Sequence, residues 1–198
     1  MKIFSTLLLL LLTKNIFSQD SCFHKSNYEP HLIEEANGER HFSPDYDVYM
    51  DDHMGCNAPS FKATTITGKQ ISLDELKDKV VILNFWYIHC SACVREFQAL
   101  NRLVDEYADK GVVFLAFALD KKGDIDTFLL KHPLKYDIIA EAKSIQDLYN
   151  VIVCPTNMVL GKNHKVVKML HGSMLKRSDI YENYEQIKPF IEQALKDK

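Results

Sequence analysis

The sequence predicts an α/β layer fold, in which a central, partly parallel β-sheet is flanked by helices and finished by a hairpin and a last helix. Three observations carry this. Residues 79–86 (KVVILNFW) and 112–119 (VVFLAFAL) are nearly unbroken apolar runs rich in β-branched residues, as strands buried on both faces should be. Between them, residues 91–110 repeat Val94, Phe97, Leu100, Leu103, Val104 and Tyr107 at helical spacing. Strand signals then go on alternating with helix signals to the end of the chain.

The elements follow in order. Residues 20–55 are polar and turn-prone, with Pro30, Asn37-Gly38, Pro44 and an acidic run at Asp45, Asp47, Asp51 and Asp52. No period holds for long there, which predicts an irregular extension with one short helix around residues 32–36. Residues 61–66 read as a strand and 67–69 as a turn. Ser72 caps a short helix at residues 73–76, with Glu75 at the capping-box position. The buried strand 79–86, the long helix closed by Gly111 and the second buried strand come next. Helices are expected at 124–131 and 142–149. A hairpin of 156–160 and 165–170 turns at Gly161-Lys162-Asn163. The last helix carries Ile180, Tyr184, Ile187, Phe190, Ile191 and Leu195 on one face, and Pro189 predicts a break or kink inside it.

Composition narrows the class. The chain has 198 residues, 46% of them hydrophobic and 11% aromatic, enough for one domain with a real core plus appendages. It is neither disordered nor disulfide-dense in composition. A net charge of -3 gives no basic excess for a phosphate backbone, so no nucleic-acid partner is expected. At the start, Lys2 precedes six leucines at 7–12, too short a run to span a bilayer but suited to a secretory signal over residues 1–19. The alternative is an uncleaved anchor; no other membrane span is expected. Ser21-Cys22 makes a poor lipid-attachment site, because Gln19 and Asp20 precede it. Removing Lys2 and Lys14 from the 24 basic residues leaves 22 against 27 acidic ones, a mature net charge of -5. The expected division is signal 1–19, extension 20–54 and domain 55–198. Export would put all five cysteines in an oxidising, periplasmic or extracytoplasmic compartment, with at least one left over after pairing. His24, His31, His41 and His53 in the extension match no compact ligand spacing and read as solvated side chains, so no metal site is expected from them.

Cys90 and Cys93 raise the sharpest question. They follow a buried strand and open a long helix, where unpaired N–H groups and the helix dipole favour an anion at Cys90. The spacing puts both sulfurs on one side of the first turn, close enough to bond. Thiol–disulfide exchange needs this pairing of an attacking thiolate with a second thiol that releases the mixed disulfide. A structural zinc site would want a second ligand pair, and covalent haem would want His where Val94 stands. Two core cysteines are the bland reading.

Several further segments match in order: Ala58-Pro59-Ser60-Phe61, Gly68-Lys69, Ser72-Leu73, Lys79-Val80-Val81, Asn84-Phe85-Trp86, the cysteine pair, and Pro155-Thr156 ahead of Gly161-Lys162-Asn163. With these, residues 55–195 resemble the TlpA/ResA group of exported thiol–disulfide oxidoreductases, AhpC/TSA-redoxin-like members of the thioredoxin superfamily. The resemblance implies a thioredoxin-like fold, with an N-terminal β-hairpin before the central sheet. It makes Cys90 the attacking cysteine and Cys93 the resolving one. It makes Pro155 a cis proline facing the disulfide, which leaves the backbone of Cys154 free to pair with a client strand. Trp86 would pack near the mouth of the site, or serve as a core aromatic. Glu96 would handle protons for the buried thiol, or be a plain surface glutamate. Asn84 stands where thioredoxin has a buried Asp, which makes Glu96 the substitute base.

Other positions depart from the pattern. Ser91-Ala92 lies between the cysteines and His89 before them; His89 either steadies a Cys90 thiolate when protonated or is an exposed loop residue. Cys154 precedes the proline. It is either a small residue tolerated at a tight position or a third thiol that traps a disulfide or, with Cys90 and Cys93, forms a copper-binding or chaperone module. Cys22 and Cys56 bracket the extension and could close a disulfide across the 33 residues between them, stabilising by ~3–4 kcal/mol on the loop-entropy model. No G-x-G-x-x-G or Walker sequence occurs, so the sulfur pair is the only cofactor expected. The partners implied are client protein thiols and disulfides and a separate electron donor.

Overall fold

The computed structural model describes residues 21–23, 28–36, 40–172 and 182–197. The expected signal segment at 1–19, His24 and Ile180 lie outside the described residues.

The extension is built rather than irregular. Strands β1 (Leu32–Glu34) and β2 (Arg40–Phe42) pair antiparallel, so the expected helix at 32–36 is a hairpin arm instead. The helix of this region is α1 (Pro44–Asp51). Ser43 precedes it in extended conformation, Pro44 takes the first helical position, and Asp45 and Asp47 sit in the first turn, where the helix dipole favours them. Tyr46, Tyr49 and Met50 fall at i, i+3 and i+4 and are buried. Tyr28 stacks on Tyr49 at 4.9 Å between ring centroids and on Tyr46 at 5.9 Å. Cys22 and Cys56 are joined in a disulfide, and Phe23 beside Cys22 packs on His53 and Tyr149. His53 is 2% exposed, not solvated. Its Nδ1 lies 2.9 Å from the Tyr49 carbonyl, and burial holds its pKa below the usual histidine value.

The domain begins with a second small hairpin, β3 (Lys62–Thr64) and β4 (Gln70–Ser72), then a 3-10 turn over Leu73–Leu76. Ser72 precedes that turn, but its hydroxyl makes no capping bond, so the expected capping box is absent. There follow β5 (Val80–Trp86), α2 (Ser91–Tyr107), β6 (Val112–Ala118), α3 (Lys122–Leu129), β7 (Asp137–Ile139), α4 (Lys143–Leu148), β8 (Thr156–Leu160), β9 (Val166–His171) and α5 (Glu182–Lys196). The main sheet has the order β7-β6-β5-β8-β9, with β5, β6 and β7 parallel and β8 and β9 antiparallel. This is the thioredoxin-like arrangement. The three-residue β7 had no sequence signal of its own.

Alternation along β5 assigns its two faces. Val80, Ile82 and Trp86 face α2 and α5 in one core, while Val81, Leu83 and Phe85 face α1, α4 and the aromatics of the extension in the other. Asn84 lies on the α2 side, fully buried. Helix α5 runs through Pro189 without a break. Pro189 is exposed, whereas Tyr184, Ile187, Ile191 and Ala194 are buried, so packing of that face outweighs one lost hydrogen bond. Among the described residues, no helix is long and apolar enough to cross a membrane.

Candidate active site

Strand β5 ends at Trp86, and a short loop delivers Cys90 to the start of α2. The loop is pinned at three points: Leu119 N–H donates to Trp86 O, Ile88 N–H to Asp120 Oδ2 at 2.8 Å, and Cys90 N–H to Tyr87 O. Cys90 is the N-cap residue of α2, and its Sγ accepts from the Cys93 amide at 3.1 Å. The two cysteines form a disulfide with Cα atoms 5.2 Å apart. Cys93 is fully buried and Cys90 is 6% exposed, so an incoming group meets Cys90 first.

On the other side stands the Cys154–Pro155 peptide, which is cis. The Cys154 carbonyl oxygen lies 3.7 Å from Cys90 Sγ. The chain is held there by Thr156 Oγ1 donating to Val153 O at 2.8 Å and by Gly172 N–H donating to Pro155 O at 2.9 Å.

Trp86 is wholly buried, its ring edge-on to Phe97 of α2 at 5.0 Å. It supports the redox helix from within the core and has no face at the mouth of the site. His89 is exposed at the rim, beside a cleft of about 430 Å³ that Ile88, Asp120, Phe128 and His132 also line.

Glu96 is 4% exposed and is no surface residue. Asn84 Nδ2 donates to its Oε1 at 2.7 Å, and Asn157 Nδ2 to its Oε2 at 3.1 Å. Asn183 Nδ2, from the first turn of α5, also donates to Oε2. Burial raises its pKa to about 8, against the pull of the Asn84 and Asn157 amides. Gly172 completes this corner. A Cβ there would lie 2.7 Å from Glu96 Oε2 and closer still to the Pro155 ring, so the carboxylate and the cis proline converge on one glycine. Sequence reasoning missed Asn157, Asn183 and Gly172. A usable signal existed for Asn157, a polar residue inside the apolar strand TNMVL that pairs with Asn84 in register.

Cys154 is a free, half-buried thiol, with Gln146 Nε2 3.9 Å from its sulfur. Burial, then the Glu96 charge, push its pKa up to about 12. It is therefore held protonated, while the other two sulfurs of the alternative three-thiol group are bonded to each other. Among the described residues, no group of three or more His, Cys, Asp or Glu side chains is arranged to hold a metal ion.

Comparison with known proteins agrees with this geometry. The family model for the AhpC/TSA family matches residues 54–169. The chain is similar to the thiol-disulfide oxidoreductase ResA of Bacillus thuringiensis subsp. konkukian, with 34% identity over 125 residues, 62% of this chain and 72% of that protein. It is similar to the thioredoxin-like protein YneN of Bacillus subtilis, with 34% identity over 139 residues, 67% of this chain and 82% of that one. Among solved structures, a Chlorobium tepidum protein assigned as thiol:disulfide interchange protein DsbE superposes with a TM-score of 0.64 at 30% identity, over 72% of this chain and 97% of that chain.

Proposed function

Because the chain belongs to the AhpC/TSA family and is a thiol–disulfide oxidoreductase, we propose that it exchanges disulfides with client proteins outside the cytoplasm, with the Cys90–Cys93 pair as its only redox group. The observation that carries this reading is the placement of Cys90 Sγ, which sits at the N-cap of α2, accepts from the Cys93 amide and lies beside the Cys154 carbonyl.

In the reductive direction, Cys90 thiolate attacks one sulfur of a client disulfide. A Cys90–client bond forms as the client S–S bond breaks, and the departing client sulfur takes up a proton. The Cys93 thiol then gives its proton to Glu96, and its thiolate attacks Cys90 Sγ. The Cys90–Cys93 bond forms, and the second client sulfur leaves and is protonated in turn. The client gains two electrons from the cysteine pair and two protons, one released by Cys93 by way of Glu96 and one from the solvent that took up the Cys90 proton when its thiolate formed. A dithiol donor of separate origin restores Cys90 and Cys93 by the reverse exchange. An extended client segment would lie along the backbone of Cys154, the residue before the cis proline, and pair with it in strand-like fashion.

Two features support work in an oxidising compartment. Residues 7–12 have the character of a secretory signal core, and the second disulfide, Cys22–Cys56, is of a kind that persists where thiols are not kept reduced.

Insulin reduction with dithiothreitol tests the proposal. Wild-type protein should accelerate precipitation of the insulin B chain, and Cys90→Ser should abolish the acceleration. Equal rates from both proteins would refute it.

A further inference from the structure

We propose that Asn84, Asn157 and Asn183 are positioning residues of this reaction, three amides that hold the Glu96 carboxylate in the orientation and charge state in which it exchanges a proton with Cys93.

The three come from separate elements, β5, β8 and α5, and converge on one side chain of α2. Asn84 and Asn157 are register partners across the antiparallel β5–β8 pair, so their side chains leave the sheet on the same face, and Asn84 Nδ2 also bridges to Asn157 Oδ1 at 2.9 Å. All three are buried, at 0%, 1% and 6% exposure, among strands and a helix face that are otherwise apolar. Burying an amide is costly unless it is hydrogen-bonded, and apolar residues of similar volume would fill these positions without that cost.

Their geometry gives them a purpose. Each of the three amides donates an N–H to Glu96, and donors on both oxygens favour the ionised, acceptor-only carboxylate over the acid, which must also place its own O–H. Burial favours the neutral acid; the amides favour the anion. The balance leaves Glu96 titrating near neutral pH, where a group can both take and return a proton. Glu96 lies one turn after Cys93 on the buried face of α2, so the group being tuned is beside the resolving thiol. Gly172 leaves the carboxylate room to lie under Pro155, so the proton acceptor sits below the loop that would receive the client.

The inference rests on the exchange reaction above for its choice of Cys93 as proton partner, and the test therefore reads Glu96 directly as well as turnover. Full-chain protein labelled with carboxyl-13C glutamate is titrated by NMR, the Glu96 signal being identified by its loss in Glu96→Gln. In Asn157→Leu and Asn183→Ala the midpoint should rise by about one to two pH units, since a hydrogen bond to a charged group contributes about 1.5–3 kcal/mol and one unit is 1.36 kcal/mol. The acid limb of insulin reduction should move to higher pH with it. A folded variant whose Glu96 midpoint does not move overturns the proposal, because a purely structural role predicts that result. Should Asn157→Leu fail to fold, Asn183→Ala at the start of α5 decides alone. Shifted midpoints in a protein without insulin turnover would overturn the oxidoreductase reading while upholding the amides' hold on Glu96.

Discussion

The amide of Cys93 donates to the sulfur of Cys90 across 3.1 Å, so the first turn of α2 is directed at the residue that begins it. A helix N-terminus stabilises negative charge at that position, and once the disulfide is reduced the same N–H faces a thiolate. Cys154, whose carbonyl oxygen lies 3.7 Å from the Cys90 sulfur, holds its own thiol under opposite conditions, half-buried and near the Glu96 carboxylate.

Thiol alkylation should separate the two. With the protein reduced and treated with iodoacetamide at pH 8, mass spectrometry should find Cys90 modified and Cys154 spared. A thiol with a pKa of about 12 is ionised to roughly one part in ten thousand at that pH. Equal modification of both would contradict the placement of Cys154.

Glu96 imposes a pH dependence on stability. Its pKa is raised in the folded chain, to about 8 from 4.5, so between those values the native state holds a proton that the unfolded state releases. Stability therefore falls as pH rises from about 5 to 8, by an amount on the order of a few kcal/mol. Thermal melts should show the wild-type midpoint dropping over that range and Glu96→Gln dropping less. Parallel curves would show that Glu96 titrates as an ordinary glutamate.

Gly172→Ala should be damaging out of proportion to its size. The added methyl meets Glu96 Oε2 and the Pro155 ring, and at least one must move. Overpacking of this kind costs about 1–3 kcal/mol, read as a lower urea midpoint, and insulin reduction should fall together with it. Wild-type activity in Gly172→Ala would mean that the corner yields without consequence.

Replacing both Cys22 and Cys56 by Ser should lower stability by about 3–4 kcal/mol in urea unfolding while leaving the Cys90–Cys93 couple able to form. The closed loop holds α1 and its stacked tyrosines, so their near-ultraviolet signal should melt ahead of the rest in the variant. A single, unchanged transition would show that aromatic packing alone holds the extension.

Much of this was legible in the sequence because the relevant signals are local. Apolar runs marked β5 and β6, helical spacing marked α2, and the cysteine spacing marked two sulfurs close enough to bond, all in agreement with the structure. The extension misled because its acidic residues mask a period: Tyr46, Tyr49 and Met50 are spaced as a helix, but Asp45, Asp47 and Asp51 around them read as a tail. Residues 32–36 carry too short a run for a period to separate a helix from the strand that pairs with β2. The amides around Glu96 lie far apart in the chain, at 84, 157 and 183, and only strand register and helix packing bring them together.

The alternation along β5 has a practical consequence. Positions 81, 83 and 85 look toward the extension and its aromatics, whereas Asn84 looks toward Glu96 and Trp86 backs the redox helix from within the other core. Stability can therefore be adjusted from the odd-numbered side of this strand without touching Glu96 and its amides on the other. An engineer seeking a hardier enzyme with the same working pH would redesign the odd-numbered side and leave its even-numbered neighbours alone.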